Sequence, residues 1–399
     1  DAYGGAQPGP PDDLLAGKGM FYVTERGRLY LDCTSGHYQM LWGYNDPALT
    51  AAAAEALRAG IVWDNHCNLP QAPVKLLARR LLDAANAPGA DDPLDRVHMG
   101  CCTGSVACAT ALKMQLVVYR RRAPAGPPPA VVVLDGNYHG TDVLCQHLRG
   151  MWPQHVRGLE VLPVQPNDRD GLRAAFHRGG KRIAGFWAEP ILMNREAIVL
   201  EAEFLQLARR LCDEAGALMC VDEIQTGFWQ PEVFACRSLG FAPDQVIAGK
   251  GMTAGFHPQA AVVFRSRHDV LEQYDAISTN GTAPLPCLVA LCSMDRIGAE
   301  AGRLTAAGDR FERGMHALAE EFPGPLRDAR GKRHMMGLKF RRVEDALDFH
   351  RRAVAGGVWV RAHAYHEGHS TVLTKLPLVA DERIVDFILE RFRSLLRGA

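Results

Sequence analysis

The chain has 399 residues, which is enough for roughly two to three domains. Its apolar fraction of 47% and charged fraction of 23% are those of an ordinary globular protein. Lysine plus arginine and aspartate plus glutamate number 45 each, so the charge balance argues against nucleic acid or a membrane surface as a partner.

The 11 cysteines are scattered, several of them in apolar runs, with no spacing typical of a zinc or redox site. We therefore expect reduced thiols that act as small apolar side chains, which favours a cytoplasmic location over secretion. No apolar run reaches the ~18 to 20 residues that a membrane-spanning helix needs.

The first elements are predicted between residues 20 and 87. The segments 20–24 and 29–31, on either side of Gly27, predict a hairpin. A helix is predicted from Asp46 through Arg58, and another over 71–87 from the helical spacing of its apolar residues.

Strands and helices alternate from residue 96 to residue 264. The predicted strands are short apolar runs at 96–99, 130–134, 159–163, 183–188, 217–221, 245–248 and 260–264. The helices predicted between them are 105–122, 172–178 and 202–215. Such alternation indicates an α/β fold with a mainly parallel sheet and helices on both of its faces.

The C-terminal part departs from this pattern. A long helical stretch is predicted from Pro286 to about residue 322, and the tail from Gly337 mixes short strands with a helix over 381–396. We expect this tail and the N-terminal hairpin to form a smaller α+β domain. The expected limits are 1–45 for the N-terminal segment that joins the small domain, 46–288 for the large domain and 289–399 for the C-terminal small domain.

The chemistry is predicted where two of the strands end. Asp222 closes the apolar run 217–221, and Lys250 follows the run 245–248 between two glycines. The carboxyl ends of parallel strands form the ligand crevice of such a sheet, so both side chains are expected in one cleft. An acid that keeps a pyridine nitrogen protonated and a lysine that forms a Schiff base are the minimum equipment of an enzyme that uses pyridoxal phosphate (PLP).

Each of these residues alone has a simpler interpretation. Lys250 could be a solvated loop lysine, and Asp222 could cap a helix or form a buried ion pair. A nucleotide phosphate loop, GxxxxGK[ST], would need Gly at 244 and Ser or Thr at 251, where the chain has Asp244 and Gly251. The segment 99–104 does not supply the GxGxxG of a dehydrogenase either.

Two loops supply further candidate contacts. Gly104 and Ser105 follow Thr103 at the start of a predicted helix, and a hydroxyl with free amides at a helix N-terminus suits a phosphate. Tyr138 and His139 follow the strand 130–134, and Tyr138 offers an aromatic face for a planar ring.

Three histidines near the C-terminus have a spacing that a metal site can use: His363, His366 and His369, with Glu367 among them. Gly368 and the lack of a clear helical face favour a surface loop of unpaired histidines instead. No metal site is therefore predicted.

Taken together, these residues resemble the class III aminotransferase family of fold type I PLP enzymes. The similarity runs from Gly27 to Leu378 and depends on the order of the motifs. They are Tyr-His-Gly at 138–140, Glu-Pro at 189–190, Asp-Glu-x-Gln-Thr-Gly-Phe at 222–228, Gly-Lys-Gly at 249–251 and Gly-Phe-His-Pro at 255–258. The resemblance implies that the large domain at 46–288 binds PLP.

The resemblance also implies how the ring of the cofactor is held. Lys250 is the expected Schiff-base lysine, and Asp222 is the expected partner of the ring nitrogen. Gln225 is placed near the ring oxygen. Ile224 lies against one face of the ring, and Tyr138 stacks on the other.

The phosphate contacts follow from the same resemblance. Gly104 and Ser105 are expected to hold the phosphate, and His139 and Glu189 are further cofactor contacts. Thr279 of a partner subunit is expected to reach the same phosphate, which implies an active site at a homodimer interface.

The chain departs from the family pattern around the substrate. Val106 stands where a glutamate is usual, and Gln230 stands where an arginine is usual. Many members of the family have an arginine here that binds a substrate carboxylate, but the segment 372–378 contains no arginine. Lys375 could take its place, although a lysine is a poorer bidentate partner. Tyr38 and Trp42, with Lys375, are the candidate substrate contacts.

The expected function is PLP-dependent amino transfer. An amine or amino acid would donate its amino group to a keto acid or aldehyde, by a ping-pong mechanism through a Schiff base on Lys250. An aminomutase, racemase or decarboxylase of the same fold is the alternative, because such enzymes share the Schiff base and differ in the bond that is broken. A non-catalytic binding protein is disfavoured by the intact pair of Lys250 and Asp222.

Overall fold

A computed structural model describes residues 12–62, 64, 66, 69, 71–364 and 368–398. The chain divides into two compact units. The larger unit holds residues 52–192 and 200–295, and the smaller unit holds the described residues within 1–51, 193–199 and 296–399. The domain limits expected from the sequence stay a prediction.

A seven-stranded sheet forms the centre of the larger unit. Its strands lie in the order Arg96–Cys101, Ala260–Phe264, Gln245–Ala248, Leu218–Asp222, Ile183–Ala188, Ala130–Leu134 and Glu160–Val164. Ala260–Phe264 runs antiparallel to both of its neighbours, and the other pairs are parallel. The sheet is therefore mainly parallel, as the alternation of elements predicted.

Five of these strands are buried at every residue: Ala130–Leu134, Ile183–Ala188, Leu218–Asp222, Gln245–Ala248 and Ala260–Phe264. A strand covered on both faces has no solvent side, so its sequence is a continuous apolar run. This is why the sequence located these strands to within one residue.

Three of five helices in the larger unit begin at residues whose side chains cap them. The helices are Ala72–Ala85, Gly104–Arg122, Val143–Leu148, Arg169–Gly179 and Ala202–Ala215. Thr103, Asp142 and Asp168 accept hydrogen bonds from backbone amides in the first turns of three of them. Each cap satisfies an amide that the helix itself leaves without a partner.

The smaller unit contains two four-stranded sheets. One has the order Leu14–Lys18, Phe21–Thr24, Leu29–Asp32 and Val358–Trp359, and the other has the order Leu326–Lys332, Met335–Phe340, Thr371–Lys375 and Arg361–His363. The helices Ala301–Glu321, Val343–Ala355 and Glu382–Arg397 pack with them around a core that includes Phe311, Phe349 and Phe392.

Further elements include the helices Pro47–Arg58 and Pro284–Ala299, the helical turn Ser35–Tyr38 and the two-residue strands Ile191–Leu192 and Ile198–Val199. The long helix expected up to residue 322 is thus two helices, interrupted at Glu300. Among the described residues, no helix combines the length and apolar content needed to cross a bilayer.

Candidate active site

Two adjacent parallel strands of the larger unit place the candidate acid and the candidate amine. Asp222 is the last residue of Leu218–Asp222 and lies opposite Ile247 of the neighbouring strand. Lys250 follows the end of that neighbouring strand, so both residues leave the sheet at the same edge. Lys250 has a left-handed φ of 46°, which is uncommon for a residue other than glycine and clusters at functional sites.

The Asp222 carboxylate is buried and held in one orientation. Its Oδ2 accepts hydrogen bonds from His139 Nδ1 at 2.7 Å and from Cys108 Sγ at 3.5 Å, and its Oδ1 accepts from the Ile224 amide at 2.9 Å. Burial raises the pKa of the Cys108 thiol well above its ordinary value, so the sulfur keeps its proton and acts as a donor. Asp222 is therefore fixed by three donors.

The same three side chains have a spacing that a metal ion could use, because Cys108, His139 and Asp222 offer atoms within 4.8 Å of one another. The raised pKa of the thiol disfavours the thiolate that a metal ligand requires. A hydrogen-bonded cluster behind the Asp222 carboxylate is the arrangement that the geometry supports.

Glu189 joins the loop of Tyr138 to the loop of Gln225. It is 2% exposed, and its two carboxyl oxygens accept hydrogen bonds from the Tyr138 amide at 2.8 Å and from Gln225 Nε2 at 3.0 Å. Burial, together with the nearby Asp222 charge, raises the pKa of Glu189 to about 7, while His139 and Lys250 oppose the rise. Glu189 is thus close enough to both residues to sense their charges.

At the start of the helix Gly104–Arg122, a glycine lets a neighbouring side chain approach the backbone closely. A Cβ atom at Gly104 would lie 2.6 Å from Ile224 Cδ1, and a Cβ atom at Gly249 would lie 3.4 Å from Ile224 Cγ1. Glycine at these two positions lets Ile224 sit directly against the backbone of both loops. Gly104 and Gly249 therefore both pack directly against Ile224.

The loop after the strand Ala130–Leu134 closes on the same helix start. Ser105 Oγ accepts a hydrogen bond from the Thr141 amide at 3.1 Å. Gly140 has a φ of 115°, and a Cβ atom there would collide with Ser105. The structure thus brings Tyr138 and His139 to the loop that holds Gly104 and Ser105.

Thr279 is exposed on a turn of the larger unit. The turn is tied to the strand Arg96–Cys101, because the Ser278 amide donates to the Gly100 carbonyl at 3.0 Å. Gly281 packs so closely on Gly100 that a side chain there would collide with it.

The three predicted substrate contacts belong to the smaller unit and are buried: Tyr38, Trp42 and Lys375. Tyr38 ends a turn in which Ser35, Gly36, His37 and Tyr38 all have positive φ angles between 54° and 73°. Lys375 Nζ lies 5.3 Å from the Tyr38 ring centroid, and Arg361, which the sequence did not indicate, lies 5.7 Å from it. Arg296 covers the Trp42 ring at 3.8 Å.

The histidine segment differs from its prediction. His363 and His369 are buried, their rings stack with centroids 4.9 Å apart, and their Nδ1 atoms lie 3.0 Å from each other. The expectation of an unpaired surface loop was therefore wrong for these two residues. His366 and Glu367 lie outside the described residues.

Sequence reasoning missed two side chains near the candidate site. Cys108 donates to Asp222. The sequence signal that could have found it is its position three residues after Ser105 on the same helix. Arg149 places its guanidinium carbon 5.2 Å from the centroid of the Tyr138 ring. No local pattern indicated this contact, because it depends on how the chain folds back after the helix Val143–Leu148.

The model of the family described as aminotransferase class-III matches residues 12–396. The chain belongs to the class III aminotransferase family. The acetylornithine aminotransferase of Xylella fastidiosa is 28% identical over 344 residues, which cover 81% of this chain and 78% of the relative. The ornithine aminotransferase of Bordetella pertussis is 28% identical over 342 residues, which cover 83% of this chain and 79% of the relative.

Solved structures of the same fold cover the whole chain. The ornithine aminotransferase of Toxoplasma gondii matches with a TM-score of 0.85 at 21% identity, covering 100% of this chain and 93% of that one. The N-acetylornithine aminotransferase of Stenotrophomonas maltophilia matches with a TM-score of 0.80 at 23% identity, covering 100% and 97%. The predicted fold type I architecture and membership of the family are thereby confirmed.

The class III family uses PLP, and a Toxoplasma gondii ornithine aminotransferase structure is described as having partial occupancy of PLP at its active site. The residues of this chain fit that cofactor. Glycine at 104 and 249 keeps the backbone around Ile224 free of side chains, which suits a flat ring, and the buried Asp222 carboxylate suits a protonated ring nitrogen. The amides at the start of a 19-residue helix suit a phosphate.

Proposed function

We propose that Lys250 and Asp222 are the catalytic pair of a PLP-dependent aminotransferase that acts on an amine or amino acid donor and a keto acid or aldehyde acceptor. The observation that carries this assignment is their departure from adjacent parallel strands at one edge of the sheet. The charges of both residues act on the buried Glu189, which supports it. The left-handed φ of Lys250 is a further sign of a site under constraint.

When bound, PLP supplies an electrophilic carbonyl for amines and a ring that withdraws electrons from the substrate carbon. Lys250 Nζ would hold the cofactor and, once released, would carry a proton to and from the substrate carbon. Asp222 Oδ1 and Oδ2 would keep the proton on the ring nitrogen. His139, Cys108 and the Ile224 amide hold that carboxylate in place for this task.

The loops around this pair would orient the cofactor. Gly104 and Ser105 would bind the phosphate through the helix start, where the backbone amides point outward. Ile224 and Tyr138 would cover the two ring faces. Gln225, which is held by Glu189, would contact the ring oxygen.

The assembly that we propose is a homodimer in which Thr279 reaches the phosphate site of the partner. Its exposure on a turn, with the backbone tied to Gly100, is compatible with a contact across subunits. Tyr38, Trp42 and Lys375 are proposed to contact the substrate. The ten described cysteines are free, which supports the proposed cytoplasmic location.

The relatives named for ornithine and acetylornithine suggest where a donor screen should begin, with amino acids and amines that carry a terminal amino group. A true donor, added without an acceptor, should change the absorption of the bound cofactor and release one equivalent of carbonyl product per site. Racemisation or carbon dioxide release without this half-reaction would favour the alternative chemistries.

The decisive variant is Lys250→Ala. We expect it to retain PLP by its noncovalent contacts and to lose turnover, because no other group replaces the Nζ amine. Lys75→Ala, which removes an exposed lysine of the helix Ala72–Ala85, is the control and should keep full activity. Undiminished turnover in Lys250→Ala would contradict the assignment.

A further inference from the structure

A pair of buried histidines in the smaller unit has no role in the proposed chemistry. His363 and His369 stack on each other, and their Nδ1 atoms lie 3.0 Å apart. The guanidinium of Arg195 lies 3.4 Å from the other ring nitrogen of His369, Nε2. The two rings therefore connect the segment 193–199 to the strand Arg361–His363 of the same unit.

The hydrogen bonds fix the positions of the ring protons. Arginine can only donate, so His369 Nε2 accepts from Arg195 and carries no proton. The proton of His369 is then on Nδ1, which donates to His363 Nδ1. His363 accordingly carries its own proton on Nε2. The lone pair of each neutral ring is thus occupied, and a further proton on either ring must break one of the two contacts.

The sheet beside the pair does not favour a further positive charge. Cross-strand pairing places Lys339, Thr371 and His363 in one row on one face of the sheet. By strand alternation, the charged side chains of the four strands on this face are Asp328, Arg330, Lys332, Lys339, Arg361 and Lys375. Five of the six are basic, and Asp328 is already paired with Arg330. Neighbouring positive charges oppose the protonation of an imidazole.

The acid on the segment 193–199 is already engaged. Glu196 is buried and accepts hydrogen bonds from Lys339 Nζ at 2.6 Å, from the Ser370 amide at 2.8 Å and from Thr371 Oγ1 at 2.8 Å. Burial works against ionisation, but these hydrogen bonds outweigh it and hold the pKa of Glu196 below its ordinary 4.5. Glu196 therefore stays charged at pH 5, and acid acts on the histidines first.

The backbone of the segment 193–199 is under constraint. Glu196 and Ala197 have left-handed φ angles of 61° and 59°. Such angles cost free energy in residues other than glycine and persist only where surrounding contacts hold them. The contact from Arg195 through His369 to His363 is one of those that hold this turn.

We propose that His363 and His369 form an acid-sensitive clasp, which holds the segment 193–199 on the smaller unit at neutral pH and releases it when the pair takes up a proton. An exposed histidine ionises near pH 6.5, so release begins below that pH. If release admits one proton, its equilibrium shifts about tenfold per pH unit, or about 30-fold between pH 6.5 and pH 5. The clasp lies within one unit and does not depend on the assignment of Lys250.

The test follows hydrogen–deuterium exchange by mass spectrometry in the PLP-loaded enzyme at pH 7.5, 6.5 and 5.0. Protection is corrected for the chemical exchange rate at each pH, and EDTA is present because two facing imidazoles can also bind a metal ion. The main variant combines His363→Asn with His369→Asn, since asparagine offers an amide donor or acceptor near each Nδ1 position and does not titrate. His316→Asn, at an exposed position of the helix Ala301–Glu321, is the matched control.

In wild type and His316→Asn, we expect the protection of the segment 193–199 to fall at least tenfold between pH 7.5 and pH 5.0. The helix Glu382–Arg397 should stay within about twofold, because it is not held by the pair. The double variant should lose no protection over this range. Equal protection of the segment at both pH values in wild type, or the same loss in the double variant, would overturn the proposal.

Arg195→Met provides a second test that does not depend on whether the double variant folds. It removes the donor that opposes a proton on His369 Nε2, so release should begin at a higher pH. We expect this variant to lose protection of the segment at least threefold between pH 7.5 and pH 6.5, where wild type loses little. A loss that begins at the same pH as in wild type would show that Arg195 and His369 do not control release, and the clasp would be rejected.

Discussion

Glu189→Gln should stabilise the cofactor-free protein at pH 8 and much less so at pH 5. Burial raises the pKa of Glu189 from an ordinary 4.5 to about 7, so between these values the folded protein holds a proton that the unfolded chain has released. Stability therefore falls as the pH rises through this window, and the penalty is complete above pH 7. The difference in pKa corresponds to a loss of stability of about 3 kcal/mol at high pH. Glutamine has no ionisable group, so the variant does not undergo this loss.

The assay is thermal unfolding of the cofactor-free wild type, Glu189→Gln and Glu214→Gln at pH 5 and pH 8. An unfolding entropy of about 2.1 cal/mol/K per residue makes 3 kcal/mol equal to roughly 4 °C for a chain of this length. The melting temperature of Glu189→Gln, taken relative to that of wild type, should therefore be about 4 °C higher at pH 8 than at pH 5. Glu214, an exposed glutamate of the same unit, should show no such gain when replaced. Parallel pH dependence in wild type and Glu189→Gln would refute the reasoning.

Two further substitutions test the cofactor loop and the buried charges of the smaller unit. Gly104→Ala should lower PLP affinity by about tenfold or more in a fluorescence titration, because its Cβ would lie 2.6 Å from Ile224 Cδ1 and force that side chain to move. Unchanged affinity would show that Ile224 is free to shift. Glu196→Ala should destabilise the protein by about 3 to 5 kcal/mol, because the buried Lys339, at 2.6 Å, would lose its carboxylate partner. Unfolding at the wild-type temperature would contradict that estimate.

The larger unit was predictable from sequence because its strands are buried on both faces. Runs such as 130–134, 183–188 and 245–248 have the same limits in the structure. The regular alternation with helices then indicates the parallel topology, since parallel neighbours need a crossover between them. Little tertiary information was required.

The smaller unit was harder because its pattern is weaker. The strand Leu326–Lys332 was missed, and it lies at the edge of its sheet with four charged residues among its seven. Edge strands often carry such charges, which obscure the apolar signal. The helix Val343–Ala355 was also missed, although it buries Ala346, Phe349 and Ala353 at helical spacing. The tail had been interpreted as short strands, so this periodicity was overlooked.

Some residues of the candidate site could be located from the sequence, and others could not. Asp222 and Lys250 could be placed at one edge of the sheet because Asp222 ends a buried strand and Lys250 follows the end of another. Cys108 and Arg149 could not be placed, because their contacts with Asp222 and Tyr138 join segments far apart in the chain. Sequence patterns therefore locate residues whose position depends on one strand or helix. They miss residues whose contacts depend on how two distant segments pack together.

The described site also explains why cofactor and stability should be linked in this protein. Glu189 is buried with a raised pKa, and Lys250 has a strained φ, so both make the cofactor-free fold less stable at neutral pH. A bound PLP that interacts favourably with Lys250 and Asp222 would offset these terms in the folded state alone, since the unfolded chain has no such site. The residues that we propose for the chemistry thus lower the stability of the cofactor-free fold, and bound PLP would offset that loss.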